Sequence, residues 1–310
     1  MRVITRVFVL FLALFLVGGG TGARAGKKVK LIASFSILGD MVKNVGGDRV
    51  EVTVLVGPNG DAHVFEPTPG DAKAVSAADL VIVNGLGLEG WMDRLIKTSG
   101  YKGLIVVATK GIKPREMTKE EEEEHEHGAK HEHKIDPHAW QNLSNGLIYV
   151  DNIAKGLSSV DAASASVYQA NAAAYKAKLD ELDKWVKTEF AGIPKPKRRM
   201  ITSHDALGYF GAAYDIEILS PMGFSTESEA AAGDIARLIK QIRKEKITAV
   251  FIENVTDPRM MEQVAEESGV TLGGELYSDA LSKEEGPAPT YIDMIKNNVN
   301  KIVAAMRKGL

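Results

Sequence analysis

No cysteine occurs anywhere in the 310 residues. Disulfides are therefore excluded, and the N-terminal region lacks the residue that carries the lipid of bacterial lipoproteins. Long apolar runs are missing too. A membrane-crossing helix takes about 20 apolar residues, and the run at 7–17 falls short of that with no longer one after it. Positive charge is not in excess either: the formal net charge is −3, which excludes nucleic acid as a partner.

The N-terminus is nonetheless informative. Arg2 and Arg6 precede the apolar run, and Ala23-Arg24-Ala25 supplies the small-x-small pattern read by signal peptidase. Residues 1–25 thus read as a cleavable secretory signal, with Gly26 first in the mature chain. Cleavage removes Arg2, Arg6 and Arg24 and no acid, so the net charge moves from −3 to −6. These features predict a monomeric protein, periplasmic, free and not lipidated.

Short runs rich in Val, Ile and Leu at 29–35, 50–57, 80–85 and 104–110 alternate with segments whose apolar residues recur at helical spacing. That alternation predicts parallel strands joined by helices. The second half repeats it, with strands at 199–203, 216–220, 247–252 and 271–277 and helices at 234–245 and 257–268. Between the halves, residues 161–190 contain no Gly or Pro. Tyr168, Ala172, Tyr175, Leu179, Leu182 and Val186 there follow alternating four- and three-residue steps, which predicts one long amphipathic helix ended by Gly192 and Pro194. The expected fold class is α/β: two mainly parallel-sheet α/β lobes, 26–160 and 192–310, joined by one long rigid backbone helix at 161–191. A helix between lobes is stiffer than a pair of extended strands, so large hinge bending is not expected.

Five of the seven histidines fall within 120–140. Four of them, His125, His127, His131 and His133, follow a run of glutamates in a histidine-rich loop at 117–135. Imidazole binds borderline transition metals, so they read as auxiliary weak metal sites, with a solvated acidic loop as the plain alternative. His138 differs: it sits in an Asp136-Pro137-His138-Ala139-Trp140 turn, where proline restricts the backbone. The loop is read as gathering metal and His138 as holding it. His63 lies just beyond the second strand, and His204 directly follows the strand ending at Ser203. Asp279 follows the last strand in the same way. Ligands of open α/β sheets bind outside the carboxyl ends of strands, so these four side chains are candidates to converge on one crevice. Glu253, ending another strand, is a rival carboxylate read as supporting or structural.

These residues carry a resemblance. The segments Asp61-Ala62-His63-Val64-Phe65-Glu66-Pro67-Thr68-Pro69, Asp136-Pro137-His138-Ala139-Trp140, Thr202-Ser203-His204-Asp205 and Leu276-Tyr277-Ser278-Asp279, with the histidine-rich insert before His138, are similar to the zinc and manganese solute-binding proteins of bacterial ABC importers, of the ZnuA/TroA type. The resemblance covers essentially the whole mature chain. It implies a metal in the cleft between the lobes, with the family's ligand positions falling on His63, His138, His204 and Asp279. The family's usual proline before the first ligand is Ala62 here, a departure expected to loosen that turn without removing a ligand. Manganese-type members tend to have a glutamate where this chain has His204. Three imidazoles and one carboxylate suit tetrahedral Zn²⁺, whereas Mn²⁺ takes more oxygen, so Zn(II) is the expected transported ligand. The expected function is a periplasmic zinc-binding receptor that docks a membrane permease and is loaded in part from a periplasmic zinc metallochaperone. A manganese receptor of the same family is the alternative.

Two other classes compete. A zinc hydrolase needs an open coordination position for water, whereas Asp279 would close the fourth one here, and no HExxH motif occurs. The chain is therefore expected not to be an enzyme. A histidine-rich zinc buffer would bind most of its metal within 120–134 rather than in a cleft.

Overall fold

The computed structural model describes residues 27–116 and 135–308. The expected signal at 1–25 and His125, His127, His131 and His133 lie outside the described residues. The first strand, β1 (Val29–Phe35), is buried at every position but Lys30, as suits a strand covered on both faces of a parallel sheet. It is followed by α1 (Ser36–Gly46), β2 (Val50–Val56), α2 (Pro69–Ser76), β3 (Leu80–Val83), α3 (Met92–Ser99) and β4 (Leu104–Val107). All pairings are parallel, in the order β2-β1-β3-β4. Helix α1 lies close on β2 because two of its residues lack side chains. A Cβ on Gly39 would meet Val54 at 2.5 Å, and one on Gly46 would meet Val50 at the same distance.

After α4 (Leu143–Val160) and a short 3₁₀ turn, Ala162–Ser164, comes α5 (Ala165–Ala191). It starts four residues later than the periodicity predicts, because Asp161 is not helical and ends the preceding helix instead. Its buried side chains are Tyr168, Ala172, Tyr175, Leu179, Leu182, Val186 and Phe190, which is the predicted stripe extended by one position. At about 1.5 Å per residue this rod is roughly 40 Å long. It connects the lobes.

The second lobe comprises β5 (Arg199–Ile201), α6 (Gly208–Tyr214), β6 (Glu217–Leu219), α7 (Ala232–Glu245), β7 (Val250–Glu253), α8 (Pro258–Ser268), β8 (Leu272–Leu276) and α9 (Tyr291–Lys308). Its sheet is again parallel, in the matching order β6-β5-β7-β8. Strand β7 begins three residues later than predicted: Lys246, in the left-handed conformation (φ 54°), ends α7, and 247–249 make the connection. No helix among the described residues is long and apolar enough to cross a membrane.

One apolar core runs through both lobes and the connecting helix, taking in Leu31, Tyr168, Phe210, Leu276 and Met306. A smaller core, with Ile201, Leu238, Val250 and Met261, lies within the second lobe. Polar ties join the lobes as well. Ser36 Oγ accepts from the Leu281 N–H at 2.9 Å, Asp40 accepts from the Tyr291 N–H at 3.0 Å, and the Trp140 indole donates to the Ser278 carbonyl at 3.0 Å. Tyr291 also donates its hydroxyl to the Trp140 carbonyl. A continuous core with such ties opposes wide opening of the cleft.

Candidate metal centre

His63, His204 and Asp279 lie on turns that follow strands, and His138 lies on a turn just after the isolated Glu116–Ile135 bridge. His63 follows β2. Asp61 Oδ1 accepts its backbone N–H at 2.8 Å, and the buried Ala62 offers its carbonyl to the Trp91 indole at 2.8 Å. Trp91 thus holds the turn that the missing proline was expected to loosen. His138 stands in a second Asp-x-His turn. Asp136 Oδ1 accepts both its backbone N–H, at 2.9 Å, and its Nδ1–H, at 2.8 Å, while Asp136 Oδ2 takes Arg115 at 3.1 Å. The Asp136 N–H donates to the Arg115 carbonyl, and an isolated Glu116–Ile135 bridge lies beside that bond. The histidine-rich insertion therefore leaves and rejoins the fold next to His138.

In the second lobe, His204 follows β5 and Asp279 follows β8. Glu253 Oε1 accepts the His204 backbone N–H at 2.9 Å, and Oε2 stands 2.9 Å from His204 Nδ1, close but off the line of an ideal hydrogen bond. Glu253 is thus turned to the far side of the imidazole from the cleft.

The structure brings all four predicted residues together. His63 Nε2 lies 3.2 Å from His138 Nε2 and 3.2 Å from Asp279 Oδ2, while His204 Nε2 lies 3.1 Å from the same oxygen. Asp279 Oδ1 is 3.6 Å from His138 Nε2 and has no hydrogen-bond partner among the described residues. One donor atom from each residue fits within a 4.8 Å span, and among the described residues this is the one such group. Bonds of about 2.0–2.1 Å to a tetrahedral ion separate its ligands by roughly 3.3–3.4 Å, so these spacings match a common centre.

The electrostatics point the same way. Burial pulls His138 down, yet Asp279 and Asp136 outweigh it and hold the imidazole at about 9. His204 is likewise raised well above the ordinary histidine range, with Glu253 and Asp279 overcoming burial. Burial works against the charged form of Asp279 as well, but His138 and His204 keep its carboxyl well below the usual range. His63 is lowered, because burial prevails over its one acidic neighbour. Without metal the cluster holds its carboxylates by keeping protons on two imidazoles, and a cation can take the place of those protons. All four donors face inward.

The sequence reading missed the supporting groups Asp136, Arg115 and Trp91. The first carried a signal, since Asp61-Ala62-His63 and Asp136-Pro137-His138 repeat one spacing. Arg115 and Trp91 reach the site only through space.

Comparison with known proteins finds relatives of the whole fold. The family model described as zinc-uptake complex component A, periplasmic (ZnuA), matches residues 31–305. The manganese-binding lipoprotein MntA of Halalkalibacterium halodurans is 34% identical, over 96% of this chain and 97% of its own. The Mn-bound periplasmic metal-binding protein of Candidatus Liberibacter asiaticus superposes with a TM-score of 0.77 at 33% identity, covering 90% of this chain and 100% of its own. The periplasmic zinc-binding protein TroA of Treponema pallidum does so with a TM-score of 0.80 at 29% identity, covering 90% and 99%.

These relatives correct one expectation, that the protein is free in the periplasm and not lipidated. MntA and other near-full-length relatives are named lipoproteins. The physical reason is that an anchor acts as a tether ahead of the fold and leaves the cleft untouched, so neither the fold nor the site argues against one. The absent cysteine is a fact of the chain, but it does not carry the location drawn from it. With a family model matching residues 31–305, and relatives that align end to end, the protein belongs to the ZnuA/TroA family, the metal solute-binding receptors of ABC importers, and it is a receptor rather than an enzyme.

Proposed function

We propose that His63, His138, His204 and Asp279 hold the cargo ion, and that the receptor carries it to the importer's membrane permease. The observation that carries this reading is the inward convergence of three Nε2 atoms and both Asp279 oxygens in a buried cleft. The delivered ion is read as manganese, with zinc the tighter-binding competitor. Kinship supports manganese, through MntA and the Mn-bound structure. Asp279 supports it too, because its second oxygen is unpartnered and available to raise the coordination number. A second reading, zinc as the cargo, is favoured by the three imidazoles, by the 3.1–3.2 Å approaches among their Nε2 atoms and Asp279 Oδ2, and by the likeness to a zinc-binding TroA. Sites of mixed nitrogen and oxygen donors bind Zn²⁺ more tightly than Mn²⁺ in general, so affinity alone does not name the cargo.

The deciding experiment is metal content after growth at limiting levels of both ions, paired with competition titration of the purified receptor. Manganese in the isolated protein, with His63→Ala and His204→Ala each losing binding, supports the reading. Zinc there would reverse the choice of ion. Retained affinity in either variant would overturn the ligand set.

A further inference from the structure

His63 differs from the other three residues in ways that bear on how an ion reaches the cleft. It is 7% exposed, whereas His138, His204 and Asp279 are each at 0%. Buried carboxylates stand against Nδ1 of His138 and of His204, but among the described residues none stands against Nδ1 of His63. The next residue, Val64, is 48% exposed, so His63 is carried by the segment that borders solvent.

One side chain holds that segment to the opposite lobe beside the imidazole. Asp61 Oδ1 accepts the His63 backbone N–H at 2.8 Å, and Asp61 Oδ2 accepts the Thr226 hydroxyl at 2.6 Å. Thr226 lies in the connection between β6 and α7 of the second lobe. In the sister turn the aspartate spends its second oxygen on Arg115 instead. The same segment is tied to the second lobe again at Asn59, whose N–H donates to the Leu281 carbonyl at 3.0 Å and whose Oδ1 accepts from Asn254 at 3.2 Å, but neither bond touches His63.

We propose that the ion passes the His63 edge of the cleft, and that the Asp61–Thr226 pair is the latch that sets its exchange rate. His63 then binds last and leaves first, while His138, His204 and Asp279 form a seat already in place. Asp61 is a positioning residue: it acts on the ion through the backbone of His63. The inference rests on the proposed ligand set, because a latch on His63 matters only if His63 is a ligand. Both latch residues are partly exposed, so water can take up the bond when the pair opens, and the fold does not depend on it.

The test uses the full receptor loaded with Co²⁺ as a spectroscopic stand-in, with release into excess chelator followed by stopped flow. Thr226→Val is expected to release the ion about ten-fold faster, the scale of one hydrogen bond to a charged group. Loading should accelerate in parallel, so that Kd changes by less than about three-fold, and the cobalt absorption spectrum should be unchanged. Thr226→Ser should restore the slow rate, and Asn254→Ala should leave it as in the parent. Wild-type release from Thr226→Val overturns the latch, as does an altered spectrum or equal acceleration in Asn254→Ala. His63→Ala separates the two readings. If it keeps full affinity the ligand set fails; if it loses affinity while Thr226→Val releases at the parent rate, only the latch fails.

Discussion

Glu253 accepts the backbone N–H of His204 with one carboxylate oxygen and sets the other 2.9 Å from Nδ1 of the same residue. Asp136 serves His138 differently, taking both N–H groups on one oxygen and Arg115 on the other. Either arrangement leaves Nε2 facing the cleft. Their difference predicts unequal responses to neutralisation. In Glu253→Gln one of two N–H groups must face an NH₂, so metal affinity should fall about 10- to 100-fold. Asp136→Asn can keep its carbonyl on both His138 donors while its NH₂ faces Arg115, which is partly exposed and already beside Asp205, so it should lose less. Competition titration of the two variants checks the order, and a larger loss in Asp136→Asn would contradict this account of the clamps.

Protonation supplies the next expectation. In the metal-free protein His138 holds its proton up to about 9, and His204 is raised as well, so an incoming ion must displace both. Apparent affinity should therefore keep rising from pH 6.5 to about 9, rather than levelling off above the ordinary histidine range. The sign for stability is opposite. A raised folded-state value stabilises fully below about 6.5 and loses its effect as pH climbs through the folded value. The metal-free protein should accordingly melt at lower temperature at pH 9.5 than at pH 7, while the loaded protein should not. Titrations and melting curves across that range test both signs, and affinity flat above pH 7 would contradict the first.

Replacing His204 by glutamate is the obvious way to favour Mn²⁺, since it exchanges an imidazole for a hard oxygen donor. Glu253 complicates it. The new carboxylate would stand beside one already buried against that position, and two such groups resist being charged together. His204→Glu alone should weaken both ions, and adding Glu253→Gln should recover Mn²⁺ binding more than Zn²⁺ binding. An unchanged Zn²⁺/Mn²⁺ ratio in the double variant would show that this ligand does not set the preference.

Much of the fold was legible because buried parallel strands read as unbroken apolar runs: 29–35 was predicted as a strand and β1 spans those residues. The stripe from Tyr168 to Val186 was legible for the same reason, as its spacing is local. The shared core was not, since nothing local pairs Leu31 with Met306. Within the site, the scarcity of histidine outside the insertion made His63, His138 and His204 stand out, while Asp279 was marked by its place after the last strand and by the family resemblance. The latch between Asp61 and Thr226 joins residues 165 positions apart and leaves no trace in either neighbourhood.

The histidine-rich insertion gives a further expectation. Replacing 117–134 by a two-residue Asn-Gly turn between Glu116 and Ile135 should preserve the Asp136–Arg115 stem and hence the support of His138. Affinity in the cleft should be unchanged, total bound zinc should fall, and loading at scarce metal should slow. Equilibrium and stopped-flow titrations side by side test this, and a collapse of equilibrium affinity would mean that the insertion supplies a ligand.

The ties made by the final helix bear on how the chain acquires its structure. Asp40 and the carbonyl of Trp140, both early in the chain, find their partners at Tyr291, and Ser36 finds its own at Leu281. The N-terminal half therefore has no complete set of native contacts until the end of the polypeptide has been delivered. Contacts spanning some 250 residues are slow to form. A truncation ending before Tyr291 should lose cooperative melting in both halves, whereas the full chain should refold in one slow transition: the last helix made decides when the first one is finished.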